Sequence, residues 1–164
     1  MFPLAHLGIP LIPIIIAERR DIDFRLLALG ALLPDIIDKP LGHLILSENN
    51  GRIIAHTLIF AIFAVALAIH YRKLLPLSYG IVFHGILDTT FTDPQGTLWP
   101  FTGPFRATDF HLVYWFDSFL EPTVVAWEIV GLLSVVYFLK WDGILTKGGL
   151  RSFLVKGSAS LRKP

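Results

Sequence analysis

Apolar residues along this chain fall into five blocks separated by short polar segments, covering residues 2–17, 22–38, 53–71, 74–90 and 121–139. The blocks lack the alternating or 3.6-residue patterns of half-buried elements. A helix rises about 1.5 Å per residue and needs roughly 20 residues to cross the hydrocarbon core of a bilayer. The pattern therefore predicts an all-α integral membrane bundle of about five spanning or partly re-entrant helices.

The third and fifth blocks are long enough to span a bilayer, whereas the other three are short. A short block can cross a locally thinned bilayer or enter it as a re-entrant segment. Pro10 and Pro13 in the first block and Pro34 in the second predict broken helices, because proline removes a helical hydrogen bond.

Composition supports the membrane assignment and excludes several classes of site. Hydrophobic residues make up 54% of the chain and charged residues only 16%, against about a quarter charged in soluble domains. The net charge of +1 provides no basic field for a nucleic-acid partner. The chain contains no cysteine, so a bound metal must be held by histidine and carboxylate.

The distribution of basic residues predicts an orientation in the cell membrane. If all five blocks span, 11 of the 14 Lys and Arg residues lie on one side, which is cytoplasmic by the positive-inside rule. The N-terminus is then outside and the C-terminus inside. This organisation gives a helical membrane domain at 1–140, with a long outer loop at 91–111, and a basic cytoplasmic tail at 141–164 that lies against anionic lipid headgroups.

Ionisable side chains within apolar blocks are costly and are therefore candidates for function. With this topology they fall in the outer half of the membrane, on several different helices. They are His6, Asp35, Asp38, His56, His84, Asp88 and Glu128.

The spacing of these residues predicts a metal centre. Asp35 and Asp38 are three residues apart, and His84 and Asp88 are four apart, so each pair shares a helix face. We place His56 in the first turn of the third helix. Imidazole with carboxylate suits zinc above all, with manganese or iron as alternatives, and several carboxylates could hold one or two ions. A cation would also relieve the repulsion between the carboxylates.

Structural roles are open for some of these residues. His6 could be a hydrogen-bonding helix contact. Asp35 or Asp38 could cap a helix or pair with Lys39. Glu128 could act as a general base, serve as a further ligand, or bind a Tyr or Trp.

Three basic residues lie on the predicted outer side: Lys39, Arg52 and Arg106. Beside a metal they could hold an anionic group such as a phosphate. Arg52, four residues before His56, is the best candidate for a catalytic role, whereas Lys39 and Arg106 could equally be ordinary loop residues.

Several short motifs occur in a recognisable order: His6-Leu7-Gly8, GALLPDIID at 30–38, GRIIAHTL at 51–58, HGILD at 84–88 and DPQGTLWP at 93–100. Together they resemble the YdjM-like family, whose members are predicted to be membrane-bound metal-dependent hydrolases. The same succession is distantly similar to the zinc-dependent phospholipase C group, whose sites combine His and Asp around a metal cluster. The resemblance implies phosphoester hydrolysis.

One position departs from the family pattern. Family members commonly have His-Arg-Gly shortly before the histidine of the third block, where this chain has Asn50-Gly51-Arg52. The arginine is kept and the preceding histidine is replaced by Gly51. Part of the ligand set could therefore shift to His43 or Glu48.

The leading hypothesis is a membrane-embedded metal-dependent hydrolase that cleaves a phosphoester or ester in a lipid-like substrate, with a metal-activated water as nucleophile. A transporter or ion-conducting protein is the first alternative, and it requires polar residues to continue into the cytoplasmic half. A non-catalytic structural membrane protein is the second, in which the His and Asp residues only join helices.

Overall fold

The structure is a computed structural model that describes residues 3–46, 50–88, 93–105 and 117–159. Within these ranges the chain forms helices and no strand, in agreement with the predicted all-α class. The α-helices are α1 Pro3–Gly8, α2 Leu11–Ile16, α3 Phe24–Pro40, α4 Leu58–His70, α5 Leu75–Leu87, α6 Pro94–Thr97, α7 Pro122–Trp141 and α8 Lys147–Lys156. A π-helical turn at Leu41–Ile45 extends α3, and 3-10 turns at Arg72–Leu74 and Ser118–Leu120 precede α5 and α7.

Among the described helices, only α7 is both long and apolar enough to cross a membrane. It has 20 residues and a mean hydropathy of 1.8. Helices α4 and α5 have 13 residues each, which corresponds to about 20 Å against a hydrocarbon core of about 30 Å. The third block was predicted to be long enough to span a bilayer, but its helix α4 is shorter than the block. Its first residues instead form a turn that ends at Thr57, the N-cap of α4.

The two proline-containing blocks behave differently from each other. The first block is broken as predicted, with α1 ending at Gly8 and α2 beginning at Leu11 after Pro10. The expected break in the second block is wrong, because α3 continues through Pro34. The ring of Pro34 is fully buried in the interior of the protein, so packing holds this helix together where local propensity opposes it.

Helices α3 and α5 cross at very close range. A Cβ atom on Gly30 would overlap the backbone carbonyl of Leu77, and one on Gly80 would approach the backbone of Leu27 and Ala31. Only glycine therefore allows the two backbones to come this close, as is common where membrane helices pack. Helix α4 packs on α5, and α1 crosses α7 at Gly8 and Gly131 in the same manner.

The segment after α7 folds back onto the start of α3. The buried carboxylate of Asp142 accepts hydrogen bonds from the Ser158 hydroxyl and the Ala159 amide, at 2.8 and 2.6 Å. Asp23 caps α3 and accepts hydrogen bonds from the Arg25 guanidinium, and the Phe24 amide donates to the Gly157 carbonyl. The fold is thus closed at this end by α8, far along α3 from the residues predicted to bind metal.

Candidate metal centre

One face of α3 supplies three groups to the site. Ala31, Asp35 and Asp38 follow each other at spacings of four and three residues, so they lie on one side of the helix. The close crossing at Gly30 and Gly80 brings α5 against this face. The backbone of Ala31 and the carboxylates of α3 consequently lie next to His84, one turn after Gly80.

Asp38 organises the turn that carries His56. Its carboxylate is fully buried and accepts the backbone N–H groups of Ile53, Ala55 and His56 at 2.8, 2.9 and 3.1 Å. Its Oδ2 also lies 2.7 Å from Nδ1 of His56. Because an ionised carboxylate only accepts hydrogen bonds, Nδ1 of His56 is the donor, and Nε2 is left with its lone pair.

His84 is oriented in the same way by a different group. Its Nδ1 lies 2.7 Å from the backbone carbonyl of Ala31. A carbonyl oxygen cannot donate, so Nδ1 carries the proton and Nε2 again presents its lone pair. A histidine whose far nitrogen is bound to a carboxylate or carbonyl is the usual arrangement around protein-bound metals.

The two imidazoles face each other through these lone pairs. Nε2 of His56 lies 3.1 Å from Nε2 of His84, and both side chains are buried. Two acceptor nitrogens at this distance repel each other when both rings are neutral, and a shared cation removes the repulsion. Tetrahedral zinc with bonds of about 2.0–2.1 Å to nitrogen separates two ligand atoms by about 3.3 Å, close to the observed distance.

Two carboxylate oxygens complete the group. Oδ1 of Asp35 lies 3.7 and 3.8 Å from Nε2 of His56 and His84, and Oδ2 of Asp88 lies 3.8 and 4.0 Å from the same atoms. All four candidate ligand atoms are within 4.8 Å of one another. The described residues thus bring together two imidazole nitrogens and two carboxylate oxygens, a donor set that suits zinc, manganese or iron.

A cation binds each of these carboxylates from outside. Lys39 Nζ lies 2.6 Å from Oδ2 of Asp35, and Arg52 lies 2.9 Å from Oδ2 of Asp88. The Lys39 and Arg52 side chains are 41% and 50% exposed, whereas Asp88 is only 7% exposed. The cluster is therefore buried on the side of the histidines and reaches solvent on the side of the two basic residues.

His6 adjoins the cluster without joining the group of four. Its ring stacks on that of His84, with centroids 4.1 Å apart. Its Nε2 lies 3.1 Å from Oδ1 of Asp88, the oxygen other than the one nearest His56 and His84. His6, predicted as a ligand, thus lies outside the group of four and contacts one of its candidate ligands, Asp88.

Three sequence-based assignments change with this geometry. Asp38, predicted as a metal ligand, holds the His56 ring and the backbone around it. His56 precedes α4 instead of lying in its first turn. Glu128, predicted as a catalytic group, accepts the backbone N–H groups of Leu4 and Ala5 at 3.1 and 3.0 Å, so its carboxylate secures the start of α1.

Some candidate residues fall outside the described ranges, namely Glu48 and Arg106. His43 is described, and its Nε2 would lie 3.0 Å from a Cβ atom on Gly51. The carbonyl of Ala31 has a function that the sequence argument missed. Its position four residues before Asp35 on α3 was the available signal, although a backbone group has no residue type to identify it.

Comparison with known proteins agrees with the membrane assignment. No curated protein and no solved structure matches this chain. The sequence model of the YdjM inner membrane protein family matches residues 1–149, which include every residue of the cluster. The chain therefore belongs to the YdjM family of inner membrane proteins.

Proposed function

We propose that this protein is a membrane-embedded metal-dependent hydrolase acting on a phosphoester or ester in a lipid-like substrate. The observation that carries the proposal is the pair of buried histidines whose Nε2 lone pairs face each other 3.1 Å apart. Oδ1 of Asp35 and Oδ2 of Asp88 point to the same place. Asp35, His56, His84 and Asp88 would hold a divalent transition metal, with zinc as the best fit to two nitrogens and two oxygens.

A divalent ion bound by imidazole and carboxylate lowers the pKa of a coordinated water toward neutrality and so supplies a nucleophile for hydrolysis. The chain's own residues prepare the site for this ion. Asp38 and the Ala31 carbonyl keep both imidazoles in the tautomer that exposes Nε2. Lys39 and Arg52 each hold one carboxylate, which limits its rotation.

The geometry does not favour ion passage. A pathway would need polar groups that continue along α5 toward its N-terminus. The hydroxyls found there are occupied by backbone carbonyls, since Ser78 donates to Leu75 and Tyr79 donates to Pro10. The neighbouring groove, about 560 Å³ in volume, is lined mainly by apolar side chains.

We also propose that all five blocks form a bundle with the N-terminus outside and the C-terminus cytoplasmic, which brings the cluster near the outer surface. Because the chain has no cysteine, single substitutions can report the topology. Phe101→Cys and Leu145→Cys replace residues that are 84% and 65% exposed. A membrane-impermeant maleimide should label the first in intact cells and the second only after lysis; the reverse pattern would contradict the orientation.

Elemental analysis of the protein after mild purification tests the metal site. Wild type should retain about one equivalent of transition metal, or two if a second ion binds, and the double variant His84→Ala/Asp88→Ala should lose it. The matched control is His70→Ala/Asp21→Ala, which removes the same residue types at exposed positions. Absence of stoichiometric metal in wild type would contradict the proposal.

Hydrolysis is tested with the same proteins in detergent, using phosphate-ester and carboxylic-ester substrates with acyl chains. Activity should follow metal content: present in wild type and the control, lost in the cluster variant, and restored when metal is added back to stripped wild type. Full metal occupancy without hydrolysis of any of these esters would limit the cluster to a structural role.

A further inference from the structure

Three nitrogen-bearing side chains surround the open approach to the cluster. Lys39 binds Oδ2 of Asp35, the oxygen turned away from the histidines, and Arg52 binds Oδ2 of Asp88, the oxygen that also faces them. Between them lies Gly51, where a Cβ atom would come within 3.4 Å of Lys39 Cγ and 3.0 Å of His43 Nε2. We refer to Lys39, His43, Gly51 and Arg52 as the cationic rim.

The rim has donors beyond those used on the carboxylates. Lysine offers three N–H donors and arginine five, and the structure shows Lys39 bound to Asp35 and Arg52 bound to Asp88. Both side chains are close to half exposed, so an incoming ligand can reach the remaining donors without first displacing a helix. The absence of a side chain at Gly51 lets Lys39 and His43 lie directly against the backbone next to Arg52.

Charge balance indicates what such a ligand must be. Among the described side chains, three carboxylates, Asp35, Asp38 and Asp88, lie beside two cations, Lys39 and Arg52. A divalent ion adds two positive charges to this group. The site with a metal bound should therefore attract an anion much more strongly than the site without one.

We propose that the cationic rim selects an anionic phosphoryl group as the part of the substrate next to the metal, and that phosphate binds only to the metal-loaded protein. This inference rests on the proposed metal site, and it decides between the two ester classes left open there. A neutral carboxylic ester would gain nothing from two cations fixed at the entrance, whereas phosphate oxygens accept charge-assisted bonds from both.

Inorganic phosphate is the probe, titrated calorimetrically into the full-length protein in detergent before and after metal removal. With metal supplied at a concentration that saturates every variant, Arg52→Gln and Lys39→Gln should each weaken phosphate binding about tenfold or more, because each removes charge-assisted hydrogen bonds. Arg19→Gln is the matched control, since it removes an arginine that pairs with an aspartate, Asp21, at the exposed surface. Gly51→Leu, whose side chain would displace Lys39 and His43, should also weaken phosphate binding.

The results separate the two claims. Equal phosphate affinity in Arg52→Gln, Lys39→Gln and the control, with metal retained, would overturn the rim while leaving the metal site intact. Equal affinity with and without metal would also overturn it. If the proposed metal site itself is wrong, the wild-type protein will contain no stoichiometric metal.

A lipid carrying a terminal phosphate, presented in the same micelles, identifies the source of the ligand. Tighter binding of this lipid than of inorganic phosphate assigns the ligand to the bilayer, and equal binding assigns it to a soluble phosphoester.

Discussion

Helix α7 and the α3–α5 pair are both built from apolar sequence, but α7 exposes its side chains whereas the α3–α5 pair buries polar groups. The window of α7 that could cross a membrane is only 11% buried within the protein, and leucines, valines and aromatic residues cover its outside. The α3–α5 pair is shorter, crosses at two glycines and encloses the fully buried Asp38 and His84. Lipid can solvate the first kind of surface, whereas the second must be satisfied by the protein itself.

The comparison teaches where substitutions should matter. A membrane-spanning α7 would expose its outward side chains to lipid both in the folded and in the unfolded inserted chain, so their removal should change little. At the α3–α5 crossing the backbones touch at Gly30 and Gly80, and the buried Asp38 and His84 side chains are hydrogen-bonded. The loss of stability caused by a substitution should therefore be larger the closer the residue lies to this crossing, and it should not depend on how hydrophobic the residue is.

The largest effect is expected at the crossing itself. Gly80→Val would push a branched side chain into the backbone of Leu27 and Ala31, where neither helix can yield locally. The free energy of unfolding in detergent should fall by about 1–3 kcal/mol or more, and metal binding should fall with it, because His84 moves off Ala31. Gly148→Ala, where a Cβ atom meets nothing within 4 Å, is the control; equal stability of the two variants would contradict the packing argument.

The second largest effect is expected when the carboxylate charge of Asp38, behind His56, is removed. Asp38→Asn keeps the shape but weakens the acceptor for Nδ1 of His56 and for three backbone N–H groups. Metal affinity should drop about 10–100-fold, as is typical for a partner behind a ligand, with some loss of stability. Competition with a metal chelator measures it. An unchanged affinity would show that His56 does not depend on Asp38.

A smaller effect is expected where the two regions meet. Glu128→Gln on α7 weakens a carboxylate that accepts two N–H groups of α1. Stability should fall by about 1 kcal/mol, whereas metal content should remain that of wild type. Thermal unfolding with parallel metal analysis checks both. Metal loss at unchanged stability would contradict the structural role and favour Glu128 as a further metal ligand.

The smallest effect is expected on the outside of α7. Leu133 is 62% exposed, and Leu133→Ala should change the free energy of unfolding in detergent by no more than about 0.5 kcal/mol. A loss of several kcal/mol would show that this face is covered by protein and would remove the contrast between the two regions.

The sequence was sufficient to predict the helical class, a long apolar helix over the fifth block and the break at Pro10, because apolar blocks and prolines are local signals. Four of the six predicted metal ligands lie together in the structure, because ionisable residues inside apolar blocks are also visible locally. The sequence misjudged Pro34 and the start of α4, where tertiary packing and the Asp38 hydrogen bonds override local preference. It could not distinguish a ligand from the group behind it: Asp35 and Asp38 look alike in the sequence. Only the position of His56 shows that Asp38 orients the ring while Asp35 faces the shared centre.

The central claim is that His56 and His84 share one divalent ion through Nε2. X-ray absorption at the edge of the metal found in the purified protein tests it most directly. The account predicts a four-coordinate shell of nitrogen and oxygen at about 2.0–2.1 Å that includes two imidazoles, with one imidazole lost in His56→Ala. A shell without imidazole scattering, or one that His56→Ala leaves unchanged, would contradict it.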